Sequence, residues 1–213
     1  MTTLAKDAAF WDKIAPKYAQ DPIKDMAAYE YTLERTKSYL SADSRALELG
    51  CGTGSTALLL APHVRQITGT DLSPGMVDIA RTKANEQGIK NADFRAISAE
   101  DAVKLPDSFD VVMGFNLFHL TVKPEDLFAD IHRMLPKGGY FISKTPCLSD
   151  PSFGFKRHAI KAMIPLMQSF GKAPFVRFFT QADLENALTF AGFDIVEAGN
   201  FPATSRYIVA RRT

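Results

Sequence analysis

Cysteine is scarce in this chain. Cys51 and Cys147 are the only two among 213 residues, too few for a disulfide framework or a cysteine-based metal site, so no metal is expected. Charge of one sign is scarce as well. Twenty-five basic against 24 acidic side chains leave a formal net charge of +1, so no global field draws the chain to nucleic acid or to an anionic membrane. RNA or DNA binding would need a local patch, and neither is expected as a partner. No apolar run approaches the ~18 residues that cross a bilayer, so no membrane span is expected. The opening residues MTTLAKDAAFWDKIA mix charge into a helical pattern and lack the continuous apolar core of a secretory signal. A cytoplasmic location is the expectation. What remains is ordinary, 46% hydrophobic and 23% charged in a length that one core can serve. A single domain over 1–213 follows.

The stretch ALELGCGTG, residues 46–54, organises the rest. Ala46, Leu47 and Leu49 form a short apolar run that reads as a buried parallel strand. It breaks into glycines at alternate positions, Gly50, Gly52 and Gly54, and Ser55 then opens the apolar helical pattern TALLLA as its expected N-cap. Strand, glycine turn and helix start make a nucleotide cradle, because glycine lets a ligand approach the backbone and a helix N-terminus presents free amides. A second strand, Gln66 to Thr70, ends at Asp71, where a carboxylate can take a ribose diol. A dinucleotide site wants G-x-G-x-x-G. Here the third glycine comes one residue early. A glycine turn without a ligand is the plain alternative.

Glu48 sits two residues before Gly50, giving E-x-G-x-G-x-G, and on that motif the chain resembles the class I S-adenosylmethionine-dependent methyltransferases, in particular a small-molecule, quinone-biosynthesis-like group. The resemblance implies a Rossmann-like three-layer α/β sandwich, its seven-stranded sheet mostly parallel with an antiparallel last strand. It implies S-adenosyl-L-methionine as cofactor. The glycine loop, Gly50, Cys51, Gly52 and Gly54, would pass the methionine moiety, with Glu48 ordering that loop and helping to place the ammonium. Asp71, followed by Leu72, would hold the ribose diol. Met76 would lie near the adenine edge or simply in the core. In ISAED, Ser98 stands where relatives often carry an aspartate that accepts from adenine, and Ala99 and Glu100 follow it. Asn116 and Leu117 lie at the carboxyl end of the fourth strand, the ligand edge of an open parallel sheet. His119 matches a histidine that serves there as a base or, more often, orders the loop. Phe10, Trp11, Asp12, Ala15 and Tyr18 match a leading F/W-D-x-x-A-x-x-Y segment that closes over the cofactor, which brings Tyr18 to its methionine end.

Residues 1–43 read as a helical cover, with breaks at Pro16 and Pro22. Ser73, Pro74 and Gly88 bound a helix after Asp71. Further strands are expected over Asp93–Ile97, Phe109–Phe115, Tyr140–Thr145 and Phe193–Val196, with Thr180 capping the helix before the last of these. Residues 146–179, rich in Phe and Met, interrupt the alternation and read as a lid insertion over the active edge. Within it Lys156, Arg157, His158 and Lys161 form either a solvated helix face or a grip for an acidic small substrate.

The reading is methyl transfer from S-adenosylmethionine to a small, partly apolar acceptor. A binding module that has lost catalysis and a dinucleotide-dependent oxidoreductase are the alternatives, and a homodimer is left open. The strand-four exit NLFH is not the N/D-P-P-Y of enzymes acting on exocyclic base amines, and Cys147 alone is a thin basis for cytosine methylation.

Overall fold

The computed structural model describes residues 3–213; the first two residues of the expected cover lie outside them. Helix α1 spans Thr3–Tyr18 and α2 spans Met26–Lys37. The α/β alternation follows: β1 (Arg45–Leu49), α3 (Ser55–Leu60), β2 (Gln66–Asp71), α4 (Pro74–Glu86), β3 (Ala92–Ala96), α5 (Ala99–Ala102), β4 (Val111–Phe115), α6 (Pro124–Met134) and β5 (Tyr140–Pro146). Helix α7 (Lys156–Ser169) interrupts it, and α8 (Gln181–Phe190), β6 (Phe193–Asn200) and β7 (Ser205–Arg212) complete the chain.

The seven strands form one sheet in the order β3-β2-β1-β4-β5-β7-β6. Strands β1 to β5 pair in parallel, while β7 runs antiparallel between β5 and β6. Alternation along each strand builds a core on each face. Leu47 and Leu49 join Phe118, Phe128 and Phe141 on the face covered by α6 and α8. Ala46 joins Leu58, Val77 and Tyr207 on the face covered by α2, α3 and α4. Each large apolar side chain so taken out of water contributes about 1.5–3 kcal/mol. The expected three-layer sandwich with its antiparallel last strand is the fold observed.

Three local expectations differ. Gly54, not Ser55, is the N-cap of α3, in left-handed backbone at φ 75° with no side-chain cap bond. Ser55 is the first helical residue, and its hydroxyl accepts from Lys83 Nζ at 3.2 Å instead. Helix α1 runs through Pro16 to Tyr18, because a proline so near the end costs little of the helix's hydrogen bonding. Strand β6 continues past Val196 to Asn200, since β7 lies alongside it as far as the Asn200–Arg206 pair.

Candidate functional site

The carboxyl ends of β1, β2 and β4 converge on one cleft. Gly50, Gly52 and Gly54 follow β1 with φ of 64°, 52° and 75°, left-handed backbone that side chains seldom adopt. Their surroundings differ. A Cβ on Gly50 would lie 2.8 Å from Leu117 Cδ1, and one on Gly54 2.7 Å from the Ala80 methyl. At Gly52 it would meet only Tyr18 Cε1, at 3.7 Å. Gly50 and Gly54 therefore serve close packing, whereas Gly52 keeps clear the space between the turn and the Tyr18 ring.

Asp71 ties this turn to the next one. Its Oδ2 accepts from Gly52 N–H at 3.0 Å and its Oδ1 from Ser73 N–H at 2.9 Å. Burial raises the Asp71 pKa, and the two backbone N–H groups offset part of that. The carboxylate is fixed in the cleft wall beside Leu72 and Met76. Ser98, Ala99 and Glu100 form the next stretch of wall. Ser98 is also the N-cap of α5, its Oγ accepting from Asp101 N–H at 3.1 Å and donating to Asp101 Oδ2 at 2.9 Å. Asn116 and Leu117 close the floor. Among the described residues Asn116 alone of the non-glycines has positive φ, 57°, and its N–H donates to the Lys144 carbonyl at 2.7 Å.

Helix α1 lies across this cleft. Asp12 Oδ1 accepts from Ser73 Oγ at 2.5 Å and from Gly75 N–H at 2.9 Å, so the cover is bolted to the first turn of α4. That bond places Tyr18 at the rim, with Trp11 edge-on to it at 6.2 Å between ring centroids. Leu4, Asp7 and Trp11 join Tyr18 in the wall. Their spacing, 4–7–11–18, puts them on one helical face, a signal present in the sequence that points to all four. Leu120, Thr121 and Val122 beyond β4, with Phe115 and Pro174, complete an apolar side that the motifs did not single out. The cleft and its open mouth together take up about 850 Å³ of space free of protein atoms.

Four of the residues singled out from sequence stay behind the wall. Cys51 is buried, its N–H bonded to the Thr70 carbonyl at 2.9 Å, and burial pushes its thiol well up. Gly54 packs on Ala80 and Phe94. Glu48 is buried, with Oε2 lacking a partner; burial, then the nearby Asp71 charge, pushes it up to about 8. His119 does not reach the cleft wall. Its ring is largely buried with Nδ1 unpartnered, and burial pushes its pKa down to about 4. Its backbone matters more than its ring: the His119 carbonyl accepts from Arg177 N–H at 2.6 Å. Arg177 also donates to the Val122 carbonyl at 3.1 Å and pairs with Glu125, while Phe175 N–H donates to Asp7 Oδ1 at 3.1 Å. The segment after α7 is thus stapled to both the β4 exit and the cover. Among the described residues no cluster of His, Cys, Asp and Glu could hold a metal ion, and no helix is long and apolar enough to cross a membrane.

These residues fit a nucleoside with a cationic amino-acid tail. Gly52 leaves backbone open beneath Tyr18, Asp71 offers a fixed acceptor pair for a diol, and the orphaned Glu48 Oε2 lies behind the turn. Residues 47–143 match a family model described as a methyltransferase domain. Over 101 residues the chain is 32% identical to the uncharacterised methyltransferase YcgJ of Bacillus subtilis, 47% of this chain and 40% of that one. Over 140 residues it is 30% identical to the ubiquinone biosynthesis O-methyltransferase of Xanthomonas euvesicatoria, 64% of this chain and 55% of the relative. The chain therefore spans about half the length of these two curated relatives. Its fold is shared with the geranyl diphosphate C-methyltransferase of Streptomyces coelicolor A3(2), solved with S-adenosyl-L-homocysteine. The TM-score is 0.69 at 15% identity, over 87% of this chain and 79% of that one.

Proposed function

The chain belongs to the class I S-adenosylmethionine-dependent methyltransferases, and from that premise we propose that it moves a methyl group to a small, partly apolar acceptor. The observation that carries this reading is one continuous cleft. Gly50, Gly52 and Asp71 lie in its wall together with an apolar side built from Leu4, Trp11, Leu120, Val122 and Pro174. S-adenosylmethionine supplies a methyl group already activated on a sulfonium. What the chain must add is alignment of donor and acceptor, and orientation can supply about 7–11 kcal/mol of a barrier.

In this reading Asp71 accepts the ribose hydroxyls, and Gly50 and Gly52 let the methionine end approach the backbone. Tyr18 closes over that end. Leu72, Met76, Ser98, Ala99 and Glu100 flank the adenine, with Asn116 and Leu117 beneath. Cys51 and Gly54 shape the turn from behind, and Glu48 orders it and helps to place the ammonium. The wall holds no lysine or arginine among the described residues, which supports a phosphate-free nucleoside over a dinucleotide. His119 works as a pin: its carbonyl holds the segment after α7, and its ring stays neutral across the physiological range. The relative named for ubiquinone biosynthesis O-methylation makes phenolic oxygen the first acceptor chemistry to try.

The test is transfer of labelled methyl from S-adenosylmethionine to a panel of substituted phenols and quinols. Turnover on apolar-substituted phenols supports the proposal. Tight cofactor binding with no transfer to any acceptor would instead favour a module that binds the cofactor and acts by interaction.

A further inference from the structure

In the strand-four exit FNLFHL, Asn116 and His119 are the polar residues, and the His119 ring lies behind the cleft wall. Asn116 stands in that wall and is exposed. Its backbone sets it apart. Among the described residues eight glycines have positive φ, and Asn116, at 57°, is the one other residue that does. Glycine takes left-handed backbone without the crowding that a Cβ brings. Asparagine tolerates it better than most residues but still bears strain, and such strain gathers at functional sites. A side chain retained at a strained position has a use, and the protein itself does not use this one: the Asn116 carboxamide has no hydrogen-bond partner among the described residues. Polar neighbours in the wall are held. Asp7 accepts from Phe175 N–H, Asp71 from two backbone N–H groups, Ser98 is bonded to Asp101, and Thr121 donates to the Phe118 carbonyl. Position adds to this. Strand β4 lies beside β1, with Gly114 paired to Leu49, so Asn116 leaves the sheet next to the glycine turn. Leu120 and Val122 of the apolar side follow it in the chain. Asn116 thus stands where the turn and the apolar side of the cleft join.

We propose that Asn116 holds the acceptor: its Nδ2 donates to the oxygen of a phenolate and turns a lone pair of that oxygen toward the sulfonium methyl. This rests on the methyltransferase reading. An oxygen anion needs donors, and the ionisable side chains in the wall, Asp7, Tyr18, Asp71 and Glu100, include no cation among the described residues. A carboxamide supplies an N–H without adding a positive charge that would repel the sulfonium. The sulfonium is then the countercharge of the phenolate. Because the histidine of this exit lies behind the wall, the phenol gives its proton to water before it binds. The oxygen lone pair forms the new C–O bond, the C–S bond breaks with its electron pair going to sulfur, and the two formal charges cancel. The acceptor class is an acidic phenol, ionised near neutral pH, with apolar substituents that Leu120, Val122 and Pro174 cover.

Two variants of the full chain test this. Asn116→Gly keeps the left-handed backbone and removes the carboxamide. Asn116→Asp keeps backbone and shape but turns the donor into an anion. Transfer of labelled methyl is read on phenols of graded acidity, beside calorimetric titration with S-adenosylmethionine. The glycine variant should lose about 10- to 100-fold in kcat/KM, as for a lost hydrogen bond to a charged group, with its cofactor Kd within about twofold of the parent's. The aspartate variant should lose more, most of all on the most acidic phenols, without weaker cofactor binding. A purely structural role predicts the opposite order, since aspartate preserves the shape. Aspartate as active as the parent, or glycine without loss, would overturn the proposal. The same comparison is made by binding, titrating an acidic phenol into each protein saturated with the demethylated cofactor. A parent that binds cofactor but no phenol removes the acceptor assignment alone. A parent that binds no cofactor removes the methyltransferase reading beneath it.

Discussion

At the scale of single residues, two buried carboxylates, Asp71 and Glu48, lie beside the glycine turn, and they differ in what steadies them. Asp71 accepts two backbone N–H groups while still lining the cavity. Removing it costs the tie between two turns and, in the proposed function, the ribose contact. Asp71→Ala should weaken cofactor binding by about 1–3 kcal/mol, roughly tenfold to a hundredfold in Kd by titration calorimetry. Unchanged affinity would mean that the diol is held elsewhere. Glu48 has no such partners beyond the N–H of Ala57, and burial leaves it protonated up to about pH 8. The folded value lies above the ordinary 4.5, so Glu48 favours the folded state fully in acid. That contribution shrinks as pH rises from about 4.5 and is gone above about 8, at about 1.4 kcal/mol for each pH unit between. Glu48→Gln should flatten this dependence. Its melting temperature should exceed that of the parent at pH 8.5 by more than it does at pH 5, and parallel curves would contradict the assignment. If the cofactor ammonium meets Glu48, binding at neutral pH should release about one proton, read as a buffer-dependent enthalpy.

At the scale of elements, the site depends on how helices are fastened. Asp12 adds an acceptor from another helix to the local Ser73 cap: its carboxylate takes Ser73 Oγ and Gly75 N–H at the start of α4 while Ser73 Oγ still accepts from Met76 N–H. Asp12→Ala should loosen α1, raising the cofactor Kd about tenfold by letting Tyr18 leave the rim, while the sheet keeps its far-ultraviolet circular dichroism. Gly54 sits where α3, α4 and β3 meet. Gly54→Ala would force a methyl into 2.7 Å contact with Ala80 at φ 75°, so a loss of about 2–4 kcal/mol in denaturant unfolding is expected. The motif F/W-D-x-x-A-x-x-Y was legible in the sequence, but its physical reason was not. Asp12 and Ser73 are far apart in the chain, and nothing local announces their bond. The staples after α7 were illegible for a different reason. They use the His119 and Val122 carbonyls and the Phe175 amide, and backbone groups leave no signature in residue type. Ser55 was misread as a cap because serine normally takes that place. Here the third glycine already occupied it.

At the scale of the molecule, the sheet was the most readable part, because burial on both faces leaves short apolar stretches in β1 and β4, and β2 ends on the aspartate that follows its buried residues. The direction of β7 came from family likeness alone, since a strand's pairing sense has no local code. The glycine turn and Asp71 were readable because the turn directly follows β1 and Asp71 is the last residue of β2. The apolar side was not: α1, the β4 exit and the segment after α7 build it from distant stretches. Charge distribution is likewise hidden in the total, where a strongly basic segment and an acidic remainder nearly cancel.

The central claim is that the cleft under Tyr18 is built for S-adenosylmethionine. Calorimetric titration of the full chain with S-adenosylmethionine, its demethylated product and NAD tests it most directly. The account predicts one molecule of either sulfur nucleoside bound per chain and no heat from NAD. Preferential binding of NAD, or no binding of either sulfur compound, would contradict it.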